Sequence, residues 1–325
     1  MDSKPHVFNK LTLTAQDVLL CAYSAWYPKF LKHAFASHIL KPLPAEFVRY
    51  LNDDGIKLPP SESSVNDPTI PFAAFHAQLE ALFTPKRSRA YTPKLNWSAP
   101  KDATWIMLNN TMECKSVDDV YLMLKSSSHI NHDLNHAFDE CEDTAEPTFE
   151  LVLREWEADL NPALEFRVYV KDKHIIGISQ RDLNFYDYLE ALKDDLTLAI
   201  ERFYDEVLYD NFDSPSFAFD VYVPRPFDKV VLVDINPFAR TTDPLLFTWY
   251  ELLQKQPEAD DFDYEFRLLS EANIGRFASK EHSENQVPKD IVDASLDSSR
   301  MAELAMKWQS LMVKEDEEDL DLEEE

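Results

Sequence analysis

A chain of 325 residues carrying a formal net charge of −28 repels the phosphates of nucleic acid, so no nucleic-acid partner is expected. It has only three glycines, Gly55, Gly177 and Gly275. That excludes the phosphate cradles built from clustered glycines: Walker A loops, dinucleotide folds and kinase-type nucleotide loops. No apolar run approaches about 18 residues, no charged-then-apolar segment opens the chain, and Cys21, Cys114 and Cys141 are odd in number and unpaired in spacing, so a cytoplasmic protein without a membrane span is expected.

In chain order, residues 14–51 read as helical. Thr14 is a cap, and Val18, Leu19, Ala22, Trp26, Phe30, Leu31, Ala34 and Phe35 form an apolar stripe broken at Pro28. Ala45–Leu51 is a further helical piece after Pro42 and Pro44. A Pro/Ser linker covers 57–71, and Phe72–Phe83 is a helix. From Tyr91 the pattern turns extended. A polar loop around Asn96-Trp97-Ser98 leads to a strand-like Thr104–Leu108, a helix over Val117–Leu124, a loop holding His129, His132, His136 and Cys141, and a strand over Leu151–Trp156. A hairpin pairs Glu165–Val170 with His174–Ser179, and the sequence then predicts a long helix over Phe185–Leu208. Two strands follow, Phe217–Val223 and Lys229–Asn236, then helices over Pro244–Gln254 and Ser295–Val313. Nine acids between Glu315 and Glu325 leave about −19 on the body and form a tail with no apolar surface to bury, expected to be disordered. The mixture of antiparallel strand pairs and helices defines an α+β class.

The pair of strands near residue 220 is the most informative local feature. Alternation places Asp234 and Asn236 on one face, and a hairpin register centred near Phe227 sets Asp220 opposite Asp234, with no evident basic partner. Two close carboxylates and a carboxamide are hard oxygen ligands that suit Mg²⁺ beside a nucleotide's phosphates. Asp-x-Asn-Pro is equally an ordinary way to end a strand in a turn. Arg167 shares a face with Glu165 and Tyr169. The hairpin register sets Gly177 nearly opposite it, which would leave room for a phosphate; a plain Arg–carboxylate pair is the competing reading. Asp182 reads as a helix cap and Arg181 is left open. Lys94 and Lys101, flanking Asn96-Trp97-Ser98 in an acidic body, are candidate phosphate ligands. The histidine cluster does not match a zinc spacing.

These segments resemble a known family. KLNWSAPKDATWI (94–106), CKSVDDVYLMLKSSSHINHDL (114–134), LVLREW (151–156), EFRVYV (165–170), IIGISQRD (175–182) and FDVY…VVLVDINPF…TDPLLFTWYEL (219–252) are similar, in one collinear order, to the cell division cycle protein 123 family, which assists assembly of eukaryotic translation initiation factor 2. The resemblance spans Thr14 to Leu253. It implies an ATP-grasp-like fold of two lobes with antiparallel sheets clasping ATP. The expected division is an N-terminal helical region 1–90 packed on a first lobe 91–152, a second lobe 153–280 with the metal site, and a C-terminal helix and acidic tail 281–325. By motif, Asp220, Asp234 and Asn236 would hold Mg²⁺ on the β- and γ-phosphates, and Arg167 would contact phosphate. Lys101, Asp102 and Ala103, with Lys94, would lie over the nucleotide. Arg154, Glu155 and Trp156 would form an interlobe hinge beside adenine whose backbone groups read the base edge. Asp234 stands where many ATP-grasp enzymes carry Glu, a departure that bears on metal number and on ligase chemistry.

The implied function is an ATP–Mg²⁺-binding assembly chaperone, monomeric on its own, that joins the α and γ subunits of the initiation factor by binding the γ subunit. The alternative is an ATP-dependent carboxylate–amine ligase. That chemistry needs an acceptor pocket with electrostatic stabilisers beside the γ-phosphate, and no clear set is evident in the sequence.

Overall fold

The computed structural model describes residues 12–59, 67–83, 89–257 and 262–271. The expected helix over Ser295–Val313, the acidic tail and the middle of the Pro/Ser linker (60–66) lie outside them. The helices are α1 (Ala15–Leu20), α2 (Tyr23–Phe30), α3 (Ala45–Asn52), α4 (Ala73–Glu80), α5 (Val117–Lys125), α6 (Ser128–Asn135), α7 (Lys193–Phe203) and α8 (Trp249–Gln254). The strands are β1 (Ser37–Leu40), β2 (Tyr91–Lys94), β3 (Leu151–Glu155), β4 (Glu165–Lys171), β5 (His174–Gln180), β6 (Phe217–Tyr222), β7 (Val231–Pro237) and β8 (Glu265–Arg267).

They form two sheets in an α+β arrangement. One is antiparallel, in the order β1-β3-β2; the other has the order β7-β6-β4-β5-β8 and is antiparallel except where β8 joins β5 in parallel. Alternation divides the larger sheet cleanly. Phe166, Val168, Val170, Ile178, Phe219 and Val221 face the core with Leu196, Ile200 and Phe203 of α7. The opposite face carries a transverse row, Asp234–Asp220–Arg167–Ser179, one residue from each of β7, β6, β4 and β5 in direct register. A second core, with Phe47, Phe75, Tyr91, Val120, Tyr121 and Leu153, surrounds the smaller sheet. Among the described residues, no helix is long and apolar enough to cross a membrane.

The structure corrects several sequence expectations. Ser37–Leu40 is a strand inside the segment read as helical, because β3, far along the chain, supplies a partner (Ser37 faces Arg154). Thr104–Leu108 finds no partner strand; Lys101–Ile106 instead forms a 3-10 turn. The segment read as a histidine loop contains α6, started by the Ser127 hydroxyl, which accepts from the Ile130 N–H. The long helix expected over Phe185–Leu208 begins as α-helix only at Lys193 and ends in a π turn, Tyr204–Leu208. The helix expected over Pro244–Gln254 begins at Trp249, fixed by a Thr248/Glu251 capping box.

The β4–β5 hairpin forms in a different register from the one expected. Arg167 faces Ser179, and Gly177 faces Tyr169. The space at Gly177 belongs to Phe247, not to a ligand: a Cβ added there would lie 2.7 Å from the Phe247 ring. Gly177→Ala is therefore expected to cost about 1–3 kcal/mol by overpacking. Urea unfolding measures it, and an unchanged midpoint would mean that the ring moves aside freely.

Candidate functional site

The polar face of the larger sheet is built around Asp220, which is 1% exposed. β6 and β7 place it directly opposite Asp234, as the hairpin reading expected. A bulge follows immediately, because Val221 pairs with Leu232 and leaves Val233 extra. The expectation that these carboxylates lack a basic partner is wrong. Arg167 grips Asp220 with two parallel bonds, Nε to Oδ1 at 2.7 Å and Nη2 to Oδ2 at 2.8 Å, and Arg181 Nε reaches Oδ2 at 3.0 Å. Burial by itself would raise the Asp220 pKa; the two guanidinium groups override it and hold the carboxyl well below the usual carboxylate range. Of the two readings open for Arg167, the structure contains the carboxylate pair, buried rather than at the surface, and the remaining Nη1 donates to the Asp243 carbonyl.

Lys94, the last residue of β2, brings the smaller sheet to this row. Its buried ammonium donates to Asp234 Oδ2 at 2.9 Å and, at short range, to the Trp97 carbonyl. Lys101 stands on the 3-10 turn. Its stem is exposed, while its amine, where the charge sits, is crowded by protein. The crowding, and then the positive charge of Arg181, push its pKa down to about 7, with Glu165 and Asp220 opposing the shift. Four cations, Lys94, Lys101, Arg167 and Arg181, thus gather around Asp220, Asp234 and Glu165. Arg181, left open by the sequence, is part of this group. Its signal was a polar run at the end of a strand, ambiguous between a site and a cap.

The other candidates sit as follows. Asp102 is bound to the start of α6. It accepts from the Ser127 hydroxyl at 2.5 Å and the Ser128 N–H at 2.6 Å, tying the 3-10 turn to the start of α6. Ala103 is buried in the core of the smaller sheet. Arg154 lies over the Phe35 ring at 5.3 Å, and Glu155 pairs with Arg89. The N–H groups of Glu155 and Trp156 already donate to the carbonyls of Ala36 and Ala90, so a base beside this segment would be read by other atoms.

The oxygen set fits a divalent cation in its chemistry. Asp220 and Asp234 stand in register, and Asn236 lies two residues further along the same face of β7. Among the described residues, the buried Asn236 Nδ2 has no hydrogen-bond partner. Carboxamide N and O exchange by a half-turn, so an oxygen placed there would need a donor or a cation. A cavity of about 90 Å³ adjoins it, lined in part by Trp97, Ser98, Asp133, Asn236 and Thr242. Among the described residues, no group of three or more His, Cys, Asp or Glu side chains could hold a metal, so any such centre depends on the carboxamide and on ligand oxygens.

Comparison with known proteins places the chain in a family. The family model described as D123 matches residues 26–69 and 60–295. The chain is 49% identical over 348 residues to a Vanderwaltozyma polyspora protein named translation initiation factor eIF2 assembly protein, with 94% of each chain covered. It is 46% identical over 356 residues to the cell division cycle protein 123 of Candida glabrata, with 99% of each covered. The solved structure of Cdc123 from Schizosaccharomyces pombe superposes with a TM-score of 0.69 at 38% identity, covering 80% of this chain and 100% of that one. This likeness of sequence and fold, extending over nearly the whole chain, shows that the protein belongs to the D123 family of cell division cycle protein 123.

Proposed function

We propose that this protein is an assembly factor for the translation initiation factor eIF2, working in the cytoplasm as a monomer that carries Mg²⁺–ATP on the polar face of its larger sheet. The observation that carries the assembly role is 49% identity, along 94% of the chain, to a protein named for it. Support for the nucleotide comes from the site. Four cations converge on one sheet face in a chain of net charge −28, where every other expectation for an anion is repulsive. Asp220, Asp234 and Asn236 would hold Mg²⁺, which would neutralise phosphate charge. Arg167, Arg181, Lys94 and Lys101 would meet the phosphates, exchanging part of their present pairing with the carboxylates. Arg154, Glu155 and Trp156 would lie by the base. Asp102 serves as the anchor of the lysine-bearing turn.

Bridging from β2 and the 3-10 turn to β6 and β7, the nucleotide would fix one arrangement of the two sheets and so prepare the surface that meets the partner. That partner is the γ subunit of eIF2, which the chain would hold ready for the α subunit.

Capture of eIF2 subunits by immobilised full-length protein tests this reading. Wild-type protein with Mg²⁺–ATP is expected to retain the γ subunit and, through it, the α subunit. Asp234→Ala is expected to retain about tenfold less. Failure of the wild type to retain any eIF2 subunit, with or without nucleotide, would refute the assembly role.

A further inference from the structure

Asp133, on α6, forms no ion pair with the four cations among the described residues, yet it is 2% exposed and makes three hydrogen bonds to one turn. It accepts from the Trp97 N–H at 3.1 Å, the Ser98 N–H at 2.8 Å and the Ser98 hydroxyl at 2.7 Å. A carboxylate inside a protein is costly to keep, and an apolar residue would pack α6 at no such cost. The location of these donors suggests why an acid stands there. The Ser98 N–H and the Trp97 carbonyl belong to one peptide unit, which is planar and trans, so they point in opposite directions. Asp133 holds the N–H end, and the carbonyl end receives the ammonium of Lys94, whose other acceptor is Asp234. A negative charge at the N–H also polarises the peptide and strengthens its carbonyl as an acceptor.

We propose that Asp133 is a positioning residue for Lys94: acting through the Trp97–Ser98 peptide, it fixes the lysine's ammonium at the place where a phosphate would bind. This rests on the nucleotide reading above. The helix carries a second tie of the same kind. Asp102, next to Lys101, binds Ser127 and Ser128 at the start of α6, while Asp133 lies near its end. One short helix is therefore tied to both lysine-bearing segments. The neighbouring bonds agree with a rigid turn: Asn96 donates to the Thr148 carbonyl and accepts from the Glu150 N–H, and the Trp97 indole donates to the Val18 carbonyl.

Calorimetric titration of Mg²⁺–ATP into full-length protein, as wild type, Asp133→Asn, Lys94→Ala and the double variant, tests the proposal. Asp133→Asn keeps the shape and removes the charge, and is expected to weaken binding about tenfold. In the Lys94→Ala background the same change is expected to cost less than about twofold, because its route of action is gone. Undiminished binding by Asp133→Asn, or an equal loss with and without Lys94, would overturn the proposal while leaving the nucleotide site standing. A wild type that binds no Mg²⁺–ATP would overturn both. If Asp133→Asn does not fold by circular dichroism, Ser98→Ala takes its place. It removes one donor and is expected to lose about threefold, the equivalent of one ordinary hydrogen bond, only when Lys94 is present. No loss, or a loss independent of Lys94, would again overturn the proposal.

Discussion

Asp220→Asn is expected to lower the free energy of unfolding by about 3–5 kcal/mol, although it changes a single atom and leaves the volume of the side chain nearly unaltered. The wild-type carboxylate is enclosed by β4 and β7 and receives three charge-assisted bonds from Arg167 and Arg181. A carboxamide there would turn an N–H toward a guanidinium and leave the buried Arg167 and the partly buried Arg181 without their shared carboxylate; Asp234 and Glu165 are the other acids of the cluster, and the contact of Glu165 with Arg181 is already long at 3.8 Å. Removing one partner of a buried charge group costs more than the pair contributes, because the remaining charges are still out of water. Urea or thermal unfolding measures the loss. A change under about 1 kcal/mol would mean that the arginines find other partners or leave the interior.

The same residue sets an acid limit. Its folded-state pKa lies below the value of about 3.9 for an unfolded aspartate, so its contribution is complete above about pH 4 and is lost as the pH falls through that value toward the lower folded one. Asp220→Asn should flatten this limb of the stability profile.

Asp234→Ala is expected to do less to stability and much more to binding. Asp234 sits at the edge of the site, its side chain 18% exposed, and Lys94 keeps the Trp97 carbonyl when its carboxylate partner is removed. A loss of about 1.5–3 kcal/mol in folding is the scale of one hydrogen bond to a charged group. For Mg²⁺, however, Asp234 is the carboxylate less committed to arginine. Among the described residues, its Oδ2 accepts from Lys94 and its Oδ1 from the N–H of Ile235, whereas both oxygens of Asp220 are held by guanidinium groups. With Asp234 gone, one carboxamide and one carboxylate already held by guanidinium groups remain. The expected result is a fall of about a hundredfold or more in affinity for Mg²⁺–ATP in a protein that still unfolds cooperatively.

Sequence patterns disclosed what alternation and local chemistry determine and missed what arrives from far along the chain. The register of Asp220 with Asp234 was legible because two strands joined by a short, proline-bearing loop leave few ways to pair, and the α5 helix was legible from its acid start and apolar period. The cations on those acids were not. Arg181 is 39 residues from Asp220, Arg167 is 53, and Lys94 is 140 residues from Asp234, and no periodicity links such positions. Gly177 invited a ligand in the sequence and received Phe247 in the fold. β1 looked helical because four residues between helices carry too little pattern to outweigh their neighbours, and only pairing with β3 makes them a strand. Asp133 stood out only beside His132, as a pair without a nucleophile motif, and gave no signal of the contact it makes, which lies in a peptide unit of another segment.

The account depends on a divalent ion joining the Asp220–Asp234–Asn236 face to a triphosphate. Titration of ATP into wild-type protein and Asp234→Ala, each in Mg²⁺ and in EDTA, tests this most directly. The prediction is saturable binding by the wild type that falls about a hundredfold when Mg²⁺ is chelated, and weak binding by Asp234→Ala that is the same in both solutions. Wild-type binding that is indifferent to EDTA, or an Asp234→Ala variant that keeps its full response to Mg²⁺, would contradict it.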